Sequence, residues 1–169
     1  MKSRHVGAPP IRIRSSHATD LDWLISLRGE PAFNQWIWPP RSTEKELYEE
    51  VAFKLGIEAA GLGVTIVASI DQAPCGYATL LVSRSGENGY VEFGVSPLNF
   101  GCGIGGRLLD ALIVRGRTFS PLRYLKATCR STNISCIRLL ESRSFAVLDE
   151  CVTSSPYLNW IRYLDRYSE

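Results

Sequence analysis

Histidine occurs only twice, at His5 and His17, and methionine once, at the N-terminus. Both histidines lie far upstream of the cysteines, and Cys129 and Cys136 are too widely separated for a zinc knuckle, so no metal is expected. A surplus of one charge is also missing. The net charge is +2, too small to argue for a nucleic-acid partner. No apolar run reaches the length of a membrane span, so no membrane partner is expected. Met1–Arg14 carries basic residues but no apolar stretch, which argues against a secretory signal. Internal repeats and low-complexity tracts are absent. The five cysteines (Cys75, Cys102, Cys129, Cys136 and Cys151) are odd in number and form no CxxC pair. That pattern suits a reduced, cytoplasmic protein without disulfides.

What is present fits one ordinary domain. The 169 residues are 45% apolar, enough for a full core without staples. Residues 1–9 read as a flexible leader and 10–169 as a single domain. Ile11 and Ile13 alternate with arginines and predict a short strand. Thr19 followed by Asp22 predicts a helix start, with Leu21, Leu24, Ile25 and Arg28 behind it. A break from Gly29 to Pro40 is rich in aromatics. Thr43-Glu44-Lys45-Glu46 is a capping box for a second helix, with Leu47, Val51 and Leu55 on one face. Glu50 and Lys54 form an i, i+4 pair on it.

From Val64 the period falls to two. Strands are predicted at 64–70, 75–82 and 90–95, joined by turns at Asp71-Gln72-Ala73-Pro74 and Gly86-Glu87-Asn88-Gly89. In the last strand Val91, Phe93 and Val95 share one face and Glu92 the other. A glycine-rich turn then opens a helix with Leu108, Leu109, Leu112 and Ile113 inward. A strand at 124–130 follows, then a helix capped by Ser131 or Thr132 and running to about Arg143. Strands at 145–152 and 157–163 close the chain. The result is an α+β class fold with a mixed, mostly antiparallel central sheet flanked by about four helices.

The turn Phe100-Gly101-Cys102-Gly103-Ile104-Gly105-Gly106 has a physical use. The first turn of a helix presents unpaired N–H groups and the positive end of its dipole. Glycines at 101, 103, 105 and 106 clear the approach of a phosphate, and Arg107 could add charge. The competing structural explanation is a flexible turn or close helix–sheet packing. Gly101, Gly103 and Gly106 satisfy a dinucleotide pattern, but the preceding strands are antiparallel and strand 124–130 ends without an acid. The phosphate-loop Lys-Ser/Thr is absent as well.

These residues resemble the GNAT superfamily of acyl-CoA-dependent N-acyltransferases. Its cofactor motif is a strand ending in Val-x-Pro, then Arg/Gln-x-x-Gly-x-Gly/Ala opening a helix. Val95-Ser96-Pro97 and Gly103-Ile104-Gly105 are similar to it. The downstream family pattern Asn-x-x-(Ala/Ser)-x-x-Leu-Tyr-Glu-x-x-Gly-Phe resembles the run from Asn133 to Phe145. The resemblance extends over nearly the whole chain and implies a GNAT-like fold. It also implies that acetyl-CoA is the co-substrate, with no metal, and that a primary amine of a small molecule or amino sugar attacks directly.

The resemblance further implies residue roles. Gly101, Cys102, Gly103, Ile104, Gly105, Gly106 and Arg107 would hold the pyrophosphate. The backbone of Phe93 and Val95 would pair with the pantetheine arm, and Asn133 would contact the cofactor near its thiol. Glu92 stands where many members carry a general base, often acting through water. Phe33, Trp36 and Trp38 would wall the acceptor site, the alternative being core packing beneath a loop. Cys102 invites a nucleophile reading, but no histidine is near and the family forms no acyl-enzyme, so a plain loop residue is expected.

Three positions depart from the pattern. Phe100 replaces the usual Arg or Gln, Ser144 replaces glycine, and Leu140 replaces the tyrosine that protonates the leaving thiolate in many members. Tyr77, Tyr90 and Tyr124 are candidates to substitute, and the sequence does not choose among them. Two other functions follow from the same features. One is a protein N-terminal or lysine acetyltransferase, since Leu27-Arg28-Gly29-Glu30-Pro31 with Trp36 resembles members acting on protein N-termini or nucleotide-linked amino sugars. The other is a non-catalytic acyl-CoA binding or sensor domain, slightly favoured by Leu140 and Phe100. A monomer or homodimer is expected.

Overall fold

A computed structural model of the chain describes residues 10–37, 43–119, 121–148 and 155–164. The expected leader at 1–9, Trp38, Cys151 and the end of the expected strand 145–152 lie outside the described residues.

Among the described residues seven strands form one sheet in the order β1-β2-β3-β4-β5-β7-β6. They are β1 (Ile11–Ser15), β2 (Gly63–Ile70), β3 (Ala73–Val82), β4 (Asn88–Val95), β5 (Tyr124–Arg130), β6 (Ala146–Val147) and β7 (Tyr157–Tyr163). All neighbours are antiparallel except β4 and β5. Among the described residues five α-helices accompany the sheet: α1 (Leu21–Gly29), α2 (Pro31–Asn34), α3 (Glu44–Gly56), α4 (Ile104–Gly116) and α5 (Ile134–Glu141). The helix beyond the expected four is the single turn α2, started by Pro31 at its first position.

The sheet's period of two sorts side chains onto two layers. Val64, Ile66 and Ala68 of β2, Ala78 and Leu80 of β3 and Val91 of β4 join Leu108, Leu109 and Leu112 of α4 in the larger core. Val67 and Tyr77 point to the opposite face and pack with Leu24, Leu27, Phe33 and Val51 beneath α1, α2 and α3. A Cβ at Gly76 would sit 3.0 Å from both Ile104 and Leu108, so the missing side chain lets α4 lie close on β3.

Several local expectations need correction. Helix α1 does not start from a Thr19/Asp22 signal. A 3-10 turn at Ala18–Asp20 precedes it, and the Asp20 carboxylate accepts from the His17 backbone N–H at 2.8 Å. Asp20 also takes a two-pronged contact from Arg14 at 2.7 and 2.8 Å. Burial pushes the Asp20 carboxyl up, but Arg14 and the His17 amide outweigh it and hold it below the usual range. The β2–β3 turn is tighter than expected. Asp71 and Gln72 both take positive φ (48° and 70°), the two-residue hairpin geometry, and β3 starts at Ala73. Strand β4 begins at Asn88 rather than Tyr90.

Asn133, not Ser131 or Thr132, caps α5, and its Oδ1 accepts from Cys136 N at 3.1 Å. That helix stops at Glu141, and Ser144 (φ 59°) accepts the left-handed turn that the family pattern gives to glycine. Strand β6 is only two residues long. The Thr43–Glu46 capping box is formed in both directions, at 3.2 Å each way.

Candidate active site

Strands β4 and β5 pair over three positions only, Asn88–Tyr90 against Tyr124–Lys126. Beyond them the two strands separate. Phe93, Gly94 and Val95 on one side and Thr128 and Cys129 on the other line a cleft of about 950 Å³. Strand β4 keeps its pairing with β3 through Val95, so its other edge carries backbone groups that face the cleft.

The glycine-rich turn closes one end of this cleft. Gly101, Gly103, Ile104, Gly105 and Gly106 all line it, as does the exposed Phe100. Gly103 is the N-cap of α4 with φ 74°, and no side chain caps the helix. The amides of its first turn are therefore open to an anion. Nothing lies within 4 Å of a Cβ built at Gly101 or Gly103, where positive φ is the reason for glycine. Gly105 and Gly106 are small for packing instead. A Cβ would meet Leu139 at 3.2 Å and Arg143 at 2.5 Å respectively. Two expected pyrophosphate contacts do not line the cleft. Cys102 is exposed with its thiol toward Phe100 O, and Arg107 donates to Ile11 O at 3.4 Å.

Glu92 lies on the α1/α3 side of β4, opposite Thr79 and diagonal to Tyr77. Its Oε1 accepts from Lys54 Nζ at 2.6 Å, from Arg28 Nη1 at 3.3 Å and from the Tyr77 hydroxyl. Its Oε2 takes none of these bonds, and the side chain is 33% exposed. Thus one oxygen anchors the carboxylate and the other is left for the cleft. Burial raises the Glu92 carboxyl, but Lys54 and Arg28 overcome that pull and hold it below the usual carboxylate range.

A second carboxylate completes the cluster. Glu50 Oε1 accepts from Arg28 Nη2 and from Lys54 Nζ, each at 2.5 Å. Arg28 is 2% exposed at its side chain, and its Nε has no partner. Burial lowers the Arg28 pKa, but the surrounding Tyr77, Glu92 and Glu50 raise it above the usual value. Thr65 Oγ1 donates to Lys54 O at 2.7 Å and meets Thr79 Oγ1 at 3.1 Å, which pins the end of α3 to the sheet. The i, i+4 spacing finds Glu50 with Lys54, whereas the sequence puts Arg28 only behind a helix start and in the run Leu27–Pro31, with no carboxylate partner. Its burial beneath a strand 64 residues later left no local signal.

Phe33 and Trp36 line the cleft, with Ile37 and Phe53 beside them; Trp38 lies outside the described residues. Phe33 packs tightly on β4, since a Cβ at Gly94 would sit 2.3 Å from its ring. Asn133 lines the cleft near Cys129 and Cys136. Hydrogen bonding with Cys136 holds the Cys129 thiol below the usual range against burial, and the same contact pushes Cys136 up.

Of the candidate proton donors, Tyr77 is fully buried, bonded to Glu92 and raised well above 10 by burial first and Glu92 second. Tyr90 lines the cleft. Tyr124 accepts from Asn88 Nδ2 at 3.4 Å and does not line it. Leu140 is fully buried in the larger core. Among the described residues no group of three His, Cys, Asp or Glu could hold a metal ion, and no helix is long and apolar enough to cross a membrane.

A sequence profile of the acetyltransferase (GNAT) family matches residues 30–145. No curated protein matches the sequence significantly. Solved structures with the same fold include RimL, a ribosomal L7/L12 alpha-N-protein acetyltransferase in complex with coenzyme A. It is 13% identical, with TM-score 0.76, covering 95% of this chain and 97% of that one. The putative acetyltransferase yncA from Salmonella typhimurium, with acetyl-CoA, is 22% identical, with TM-score 0.71 and coverage of 94% and 96%. A chimera of the Vibrio cholerae spermidine N-acetyltransferase SpeG and hSSAT is 16% identical, with TM-score 0.73 and coverage of 91% and 95%.

Proposed function

Since the chain belongs to the GNAT acetyltransferase family and is an acyltransferase, we propose that it moves an acetyl group from acetyl-CoA to a primary amine by direct attack. The observation that carries this reading is the splayed β4–β5 cleft, with an uncapped helix N-terminus at one end and the free Glu92 Oε2 on one wall.

The amides at the start of α4 receive the pyrophosphate, and the open edge of β4 from Phe93 to Val95 pairs with the pantetheine arm. The backbone N–H near Val95 is the donor for the carbonyl oxygen as it gains charge. The acceptor nitrogen attacks the thioester carbon, a C–N bond forms and the C–S bond breaks. The nitrogen gives up a proton to Glu92 Oε2 or to water bound there. The thiolate leaves without a tyrosine donor, because Leu140 is buried in the core. A thiol near its ordinary pKa of ~8.5 tolerates that departure.

Glu92 held low is a weak base that stays ionised across the neutral range. Its task is to hold the ammonium and pass its proton outward. The acid limb of the rate profile above about pH 5 therefore belongs to the acceptor amine, not to Glu92. In Glu92→Gln, turnover measured by free-thiol release falls about 10²-fold or more, the limb stays where it was and acetyl-CoA affinity is kept. Unchanged turnover would remove Glu92 from the chemistry. The named acceptors of the structural neighbours include both a ribosomal α-amine and spermidine, so they do not select among amines.

A further inference from the structure

Among the described residues, the charges of Arg28, Glu50, Lys54 and Glu92 at this end of the cleft balance. Glu50 Oε1 holds Arg28 and Lys54 at 2.5 Å each, and Glu92 Oε1 holds Lys54 at 2.6 Å and Arg28 at 3.3 Å. Two anions meet two cations, and each carboxylate already has both. Among the described residues that line the cleft, Glu50 and Glu92 are the only carboxylates. Lys126 stands on the opposite wall, 5.8 Å from the Tyr90 ring centre, and adds a further positive charge. The acids Glu44, Glu46 and Glu49 of α3 are exposed and do not line the cleft.

Among the described carboxylates this leaves Glu92 Oε2 open to an ammonium. Among the described residues, the apolar side chains beside it are Phe33, Trp36, Ile37 and the half-exposed Phe53. A polyamine brings a second ammonium that needs its own carboxylate. Here it would find Lys54 between the two acids, and like charges in a half-buried site repel strongly. An aromatic or aliphatic amine with one charge instead loses water against the four apolar side chains.

Resting on the transferase reading above, we propose that this site takes monoamines with an apolar body, and that Lys54 is the residue that turns polyamines away. Lys54 determines specificity by occupying the space between Glu50 and Glu92 that a second ammonium would need.

The test uses the full chain with acetyl-CoA and two probes, 2-phenylethylamine and spermidine. Free-thiol release gives kcat/KM for each, and calorimetry on the coenzyme A-loaded protein gives the affinity of each amine. The expected result is a preference for 2-phenylethylamine of roughly tenfold or more in both readouts. Equal or better use of spermidine overturns the proposal. Lys54→Met is expected to shrink the preference by about tenfold, since it frees negative charge for a second ammonium. General damage would lower both amines together and leave their ratio unchanged, and an unchanged ratio in folded Lys54→Met overturns the role of Lys54. If neither amine is acetylated, the calorimetric ratio still decides the selectivity, and thiol release with a wider panel of primary amines decides the transferase reading separately.

Discussion

Arg28 is the residue on which the acceptor wall turns. Its buried guanidinium reaches Glu50 on α3 and Glu92 on β4, so three elements meet at one side chain. Arg28→Met removes the cation that the Glu50 and Glu92 carboxylates share. It is expected to cost about 3–5 kcal/mol in urea unfolding, the range for breaking a buried pair by removing one partner. Gly94→Ala acts by volume. Its Cβ would lie 2.3 Å from the Phe33 ring, so the ring must move, at about 1–3 kcal/mol and with loss of acceptor turnover. The sequence made part of this cluster legible. Glu92 followed from the alternation of β4, and Glu50 with Lys54 from helical spacing. Arg28 and Tyr77 did not, because their partners arrive from elements 22 to 64 residues away or from a neighbouring strand.

At the scale of elements, the turn into α4 is set by backbone conformation. Gly103 holds φ 74° with open space around it, so Gly103→Ala strains the turn by about 1–2 kcal/mol without any clash. The first-turn amides then shift, and acetyl-CoA affinity is expected to fall when titrated by calorimetry. Thr43→Ala is the matching control. It removes the capping box of α3, costs about 1 kcal/mol in urea and leaves acetyl-CoA affinity unchanged. The four glycines were readable as a turn, but their separate reasons were not. Positive φ at 101 and 103 and close packing at 105 and 106 look the same in a string of letters. The cap of α5 was hidden for a different reason. Ser131, Thr132 and Asn133 are three successive cap formers, and only the path of the chain chooses Asn133.

For the whole molecule, two helical layers hold the sheet while its middle parts. Asp20 ties β1 to α1, and Glu92 ties β4 to α1 and α3. Both carboxyls sit below their ordinary values in the folded chain. Each therefore binds its proton more tightly when unfolded, and stability is fully present above the unfolded carboxylate range. Urea midpoints are expected to hold from neutral pH down to about pH 5 and then to fall as acid protonates both groups. Apart from the single turn α2, the order of elements was legible, because the change of period from 3.6 to 2 at Val64 marks it. The parting of β4 from β5 was not, since pairing that stops at Tyr90 and Lys126 depends on how the two halves of the sheet twist apart. That parting is the centre of the account, and calorimetric titration of the folded chain with acetyl-CoA tests it most directly. Saturable binding of one acetyl-CoA per chain, with a Kd between about 1 μM and 1 mM, is the predicted result. Absence of any saturable heat at millimolar acetyl-CoA would contradict it.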